Sequence, residues 1–170
     1  MNWIGLIAAL LVTVLIQTTI CPLADLPVVD VDLLLALALI YGLVAPAQDA
    51  RLAALMIGFA VDLTTEGALG LRAFCFGMTG LLITQVREIT NQRIWWTRLL
   101  AGFIAAVPGQ VLIVLHLRYV QGIDLGNWWS LVFHAIVVAA TAALLAALGT
   151  AVLRLGQPPH SQRRAAWKRP

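Results

Sequence analysis

The sequence predicts an all-α integral membrane fold, a bundle of six transmembrane helices, and three observations carry that prediction. The first is composition. Of 170 residues, 61% are hydrophobic and 11% charged, with a mean hydropathy of +0.92, whereas roughly a quarter of a soluble domain is charged. The second is the length of the apolar runs, each close to the 17–20 residues, roughly, that a helix needs to cross a bilayer. The third is the arginines and lysines, which fall on alternate loops. The runs fill nearly the whole chain, so one domain over 1–156 is expected, followed by a short basic tail at 157–170.

Taken in order, the first span covers 3–20. Its start, MNWIGLIAALLVTVLIQTTIC, has no basic n-region and no small-x-small cleavage site, and TTIC lacks the small residue that normally precedes a lipidated cysteine. It is therefore expected to stay uncleaved. Asp32 opens the second span, 31–47; the third, 51–66, is the shortest and carries Asp62. A tight turn leads to the fourth, 69–86, and the fifth and sixth cover 99–117 and 130–154. Trp95 and Trp96 precede span 5, and Trp128 and Trp129 precede span 6. Indole rings favour the headgroup level, so these pairs read as belt residues at the membrane boundary.

Without span 3 the count would be five and the termini would lie on opposite sides. Charge decides between the two counts. Loops 21–30, 65–70 and 118–129 hold Asp25, Asp30, Glu66 and Asp124 but only Arg118, with Arg72 just inside the next span. The other loops and the tail hold Arg51, Arg87, Arg93, Arg98, Arg154, Arg163, Arg164, Lys168 and Arg169. A nine-to-two split places both termini in the cytoplasm with six spans.

The net charge is +3, and four of the eleven basic residues lie in the last eight positions. Such a tail serves orientation and attraction to anionic lipid. Nucleic-acid binding is not expected, because no basic face with interleaved aromatics occurs elsewhere. Cys21 and Cys75 are too few for a disulfide framework and lack metal-ligand spacing.

Ala135, Ala139, Ala143, Ala147 and Ala151 form a four-residue stripe along span 6. Small residues at that spacing let helices approach closely. The stripe serves either packing within the bundle or docking of a partner's helix, including a second copy. Shorter versions occur as Ala54 with Gly58, Ala73 with Gly77, and Gly102 with Ala106.

The segment 58–74, GFAVDLTTEGALGLRAF, sets Asp62, Glu66 and Arg72 in otherwise apolar sequence. A charge at a helix centre in a bilayer costs from about 2.5 kcal/mol upward, so such residues pair, face protein or carry function. Gly58, Asp62 and Glu66 share one helix face by i, i+4 spacing. Asp62 lies five residues before Gly67 and Arg72 five after it, which puts both roughly 7–8 Å from the turn. An Asp62–Arg72 ion pair across the hairpin is the economical expectation. Asp32 and Gln17 fall at the same outer side. The cluster is read as a clasp that fixes helix register, with a ligand- or partner-binding site and a proton or ion relay as alternatives.

Catalysis finds little support. The chain has no HExxH, no GxSxG elbow and no glycine-rich phosphate loop with lysine. His116, His134 and His160 have no i, i+4 partners. Asp32 and Asp62 lack the GxGD context of intramembrane aspartyl proteases. No enzyme activity, cofactor or metal is expected.

Asp32-Leu-Leu-Leu, then Tyr41, then Gly58-x-x-x-Asp62-Leu63, then Leu69-Gly70-Leu71-Arg72, resembles the rod shape-determining protein MreD family. That family shows a PDLLL-type opening of its second span, a GxxxDL segment in the third and an LG(V/L) turn into the fourth. Val31 stands where the family has proline, and Pro27 lies nearby. The motifs cover about residues 30–85; length, span count and basic tail extend the likeness over the chain.

The resemblance implies a non-enzymatic inner-membrane subunit of the machinery that elongates the bacterial side wall. Its partner would be MreC, a bitopic protein with a periplasmic coiled coil, linked in turn to actin-like MreB and to the wall synthase and transpeptidase. It implies a fold similar to the substrate-binding subunits of energy-coupling-factor vitamin transporters, so uptake of a vitamin or other small molecule is the rival function. Asp32, Gly58, Asp62, Glu66, Gly70 and Arg72 are the candidate structural or partner-binding residues.

Overall fold

Helix boundaries fall where the chain loses a main-chain donor or must reverse. The computed structural model describes residues 3–23, 32–65, 69–89, 95–120 and 128–155. Within them lie six helices and no strand: α1 (Trp3–Leu23), α2 (Leu33–Val44), α3 (Ala47–Thr64), α4 (Leu71–Ile89), α5 (Trp95–Tyr119) and α6 (Trp128–Leu155). The break between α2 and α3 is set by Pro46. Proline disfavours helical backbone at the residue before it, and Ala45 is extended at φ −78°, ψ 160°. Helix α2 therefore stops at Val44, and α3 starts at Ala47 rather than at 51. Asp49 then falls in the first turn of α3, where the helix dipole favours a negative charge.

Helix α2 is the hub. It packs against all five other helices, while α3–α4, α4–α5 and α5–α6 pack as successive pairs and α1 lies chiefly on α2. Its sequence, LLLALALIYGLV, is apolar on every face, as a helix enclosed on all sides must be. At about 18 Å for 12 residues it is the shortest helix, against about 42 Å for the 28 residues of α6. Two helices, α5 (over Trp95–His116) and α6 (over Trp128–Leu153), are long and apolar enough to cross a membrane.

Side-chain bonds fix the register. Arg51 Nε donates to Thr84 Oγ1 at 3.0 Å at one end of the α3–α4 hairpin, and Asp62 meets Ala73 at the other. Arg98 Nη1 donates to Thr150 Oγ1 at 3.3 Å, and Arg118 lies over Trp128, which sets α5 antiparallel to α6. Arg87 reaches back from α4 to the carbonyls of Gly42, at 3.0 Å, and Ala45. It satisfies the last turn of α2, whose acceptors have no partner within their own helix.

Small apolar side chains fill the interior, and large ones also cover the outside. The interior is dominated by alanine, with Ala53, Ala54, Ala105, Ala106, Ala142 and Ala146 fully enclosed around Leu35, Leu39, Ile57 and Phe76. The exterior carries large apolar residues on each outer helix: Leu11 and Leu15 on α1, Leu55 and Phe59 on α3, Phe74 on α4, Ile104 on α5, and Phe133 and Leu148 on α6. A water-soluble monomer rarely exposes contiguous apolar surface on this scale.

The alanine stripe lies inside this chain. Ala135, Ala139, Ala143 and Ala147 are buried and Ala151 is half-buried, so four of the five are already covered by the bundle and are not open to a partner.

Candidate functional site

The cluster is built at the end of the bundle where α3 stops and α4 starts. An α-helix leaves its first four main-chain N–H groups without internal acceptors. Here the acceptor comes from the neighbouring helix. Asp62 Oδ2 accepts from Gly70 N at 3.0 Å and from Ala73 N at 2.9 Å, and Oδ1 accepts from Arg72 N at 3.1 Å. The carboxylate is buried, 6% exposed, and is held by three main-chain donors at the positive end of the α4 dipole.

This corrects the expected Asp62–Arg72 ion pair. Arg72 meets Asp62 through its main-chain N–H, and among the described residues its guanidinium makes no hydrogen bond or ion pair with that carboxylate. The physical reason is geometric. Asp62 sits below the opening of α4, where unsatisfied amides are clustered, and a short acidic side chain fills that position as an N-cap donated in trans.

Two glycines make the approach possible. Gly58, one turn before Asp62, lies so close to α4 that a Cβ there would stand 2.6 Å from Arg72 O, 2.7 Å from Ala73 Cα and 2.8 Å from Phe76 Cβ. Gly70 adopts φ +96°, a left-handed conformation open to glycine at little cost. It turns the chain so that the amides of Gly70, Arg72 and Ala73 face one carboxylate. Glu66 lies outside the described residues.

Asp32 caps α2. Its Oδ1 accepts from Leu35 N at 2.9 Å, and Gln17 Oε1 on α1 accepts from Leu34 N at 3.3 Å. The structure thus uses one device twice at the same end, a polar side chain closing the N-terminus of a helix. The trans cap from Gln17 was not legible as such in the sequence, where an isolated glutamine near a helix end has many uses. Nor were the Arg87 and Arg51–Thr84 braces, although proline just after α2 announces a helix end whose carbonyls need donors.

Chemically, a carboxylate whose oxygens are committed to three main-chain amides locks the start of α4 against α3. Cys75, buried and unoxidised, lies two residues beyond Ala73. Among the described residues no group of three or more His, Cys, Asp or Glu side chains comes together to hold a metal. Comparison with protein-family models, with curated proteins and with solved structures finds no match to this chain.

Proposed function

We propose that this protein is a six-span, non-enzymatic scaffold of the bacterial inner membrane that holds the transmembrane segment of an MreC-like partner and helps direct side-wall peptidoglycan synthesis. The observation that carries the reading is the α3–α4 clasp. The residues that build it, Gly58, Asp62, Gly70 and Arg72, are those of the GxxxDL and LGLR segments through which the sequence resembles the MreD family. They act together as one structural unit, which is what a shared motif without catalytic residues requires.

The six-span arrangement is supported by the small-residue interior and the large apolar exterior on α1, α3, α4, α5 and α6, since packing between helices in lipid relies on close approach at small side chains. Both termini lie in the cytoplasm in this reading. The end bearing Asp32, Asp62 and Arg72 then faces the periplasm, where an MreC-like coiled coil begins. Contacts are the mechanism, and linkage to MreB and to the wall synthase is indirect.

Affinity extraction of the tagged full-length protein from its own host, followed by mass spectrometry, tests the proposal. A bitopic coiled-coil protein recovered with wall synthases supports it. Paired ATPases recovered with a bound vitamin overturn it in favour of an uptake subunit.

A further inference from the structure

Four described arginines at the two ends of the bundle differ in what their donors meet. At the end where α2 stops and α3 begins, Arg51, Arg87 and Arg98 are committed to Thr84, to the Gly42 and Ala45 carbonyls, and to Thr150. At the opposite end, Arg118 in the last turn of α5 has no such acceptor among the described residues. Its Nη1 is enclosed without a hydrogen-bond partner. Its guanidinium carbon lies 5.6 Å from the centre of the Trp128 ring at the start of α6, within cation–π range. Arg118 as a whole is only partly covered.

The helix dipole explains why a cation suits the last turn of α5, but it supplies no acceptor. His116 Nε2 is also enclosed and unpartnered. Two residues along a helix is about 200° of rotation, so it faces away and does not join Arg118. Among the described residues, those next to Arg118 and Trp128 in the chain are apolar or aromatic and outward-facing: Tyr119, Val120 and Trp129 are each about seven-tenths exposed. Both helices that meet here are of membrane-crossing length, so their common end stands at the headgroup level, where tryptophan collects and phosphate is the densest anion.

We propose that the Arg118–Trp128 corner binds the phosphate of a membrane phospholipid headgroup. The guanidinium fork takes two phosphate oxygens, a geometry it matches better than an ammonium does. The Trp128 ring holds the cation in place, and the acyl chains run down the exposed apolar face of α6 past Phe133 and Ile136. The proposal requires that α5 and α6 lie in a bilayer and is independent of the cell-shape reading.

The test is native mass spectrometry of the full chain in detergent with equal amounts of phosphatidylglycerol and diacylglycerol, which lacks the phosphate. Wild type is expected to retain the phospholipid about fivefold over diacylglycerol, the factor one arginine contributes to attraction of an anionic lipid. Arg118→Gln should lose the preference and Arg118→Lys should keep part of it. Equal preference in wild type and Arg118→Gln overturns the proposal. Should Arg118→Gln fail to fold, Trp128→Ala decides: a reduced preference supports the site and an unchanged one overturns it. Inorganic phosphate that binds the delipidated protein and displaces the lipid marks a free-phosphate site and overturns the assignment to lipid. A photoreactive side chain at Tyr119 in native membranes should label lipid; labelling of protein alone overturns it in favour of a partner's acidic group.

Discussion

Removing the Asp62 carboxylate separates a helix cap from an ion pair, because the two readings assign the loss to different partners. In Asp62→Ala three main-chain donors lose their acceptor. The Ala73 amide lies in a buried part of the hairpin, and an unsatisfied buried donor costs about 1–3 kcal/mol. The Gly70 and Arg72 amides belong to residues with access to the surface, and loss of a cap at such positions costs about 0.5–1 kcal/mol each. The sum is about 2–5 kcal/mol. Asp62→Asn keeps one acceptor oxygen and turns an NH2 group toward a donor, for about 1–2 kcal/mol. Arg72→Gln keeps the main-chain N–H and should cost less than about 1 kcal/mol. Reversible unfolding in mixed micelles, followed by the fluorescence of the six tryptophans, measures all three. A buried ion pair demands about 3–5 kcal/mol for loss of either partner. Equal losses in Asp62→Ala and Arg72→Gln, with coupling above about 1 kcal/mol in the double mutant, would therefore refute the cap.

The same assay tests four further substitutions. Gly58→Ala drives a methyl group into the α4 main chain, 2.6 Å from Arg72 O, and should cost about 1–3 kcal/mol. Gly70→Ala meets nothing within 4 Å and pays for its φ alone, about 1 kcal/mol; a Gly70 variant less stable than the Gly58 variant would contradict this ordering. Arg87→Gln removes the donor to the Gly42 and Ala45 carbonyls and should destabilise by about 1.5–3 kcal/mol, with a normal midpoint counting against the brace. Ala143→Leu enlarges a residue that is fully enclosed and should destabilise the isolated protein by about 1–3 kcal/mol or more. A stable Ala143→Leu protein that loses only partner recovery would return the stripe to an external docking role.

Periodicity, composition and charge by themselves determined that this chain is helical, where its apolar segments lie, and that the residues from Gly58 to Arg72 form one unit. These are local properties: a run of apolar residues, an i, i+4 spacing and a glycine at a turn are written in consecutive positions. Asp62 was legible as important because a charge in apolar sequence must be compensated. Its partner was not, since a carboxylate is satisfied equally by a guanidinium or by main-chain amides, and only the depth of α4 beside α3 selects the amides. The Ala135–Ala151 stripe declared a close helix contact but not against what; burial inside the chain comes from α6 packing on α2 and α5. The central place of α2 and the reach of Arg87 across 45 residues to Gly42 were likewise decided only by tertiary structure, because they depend on which helices become neighbours, and no local pattern records that.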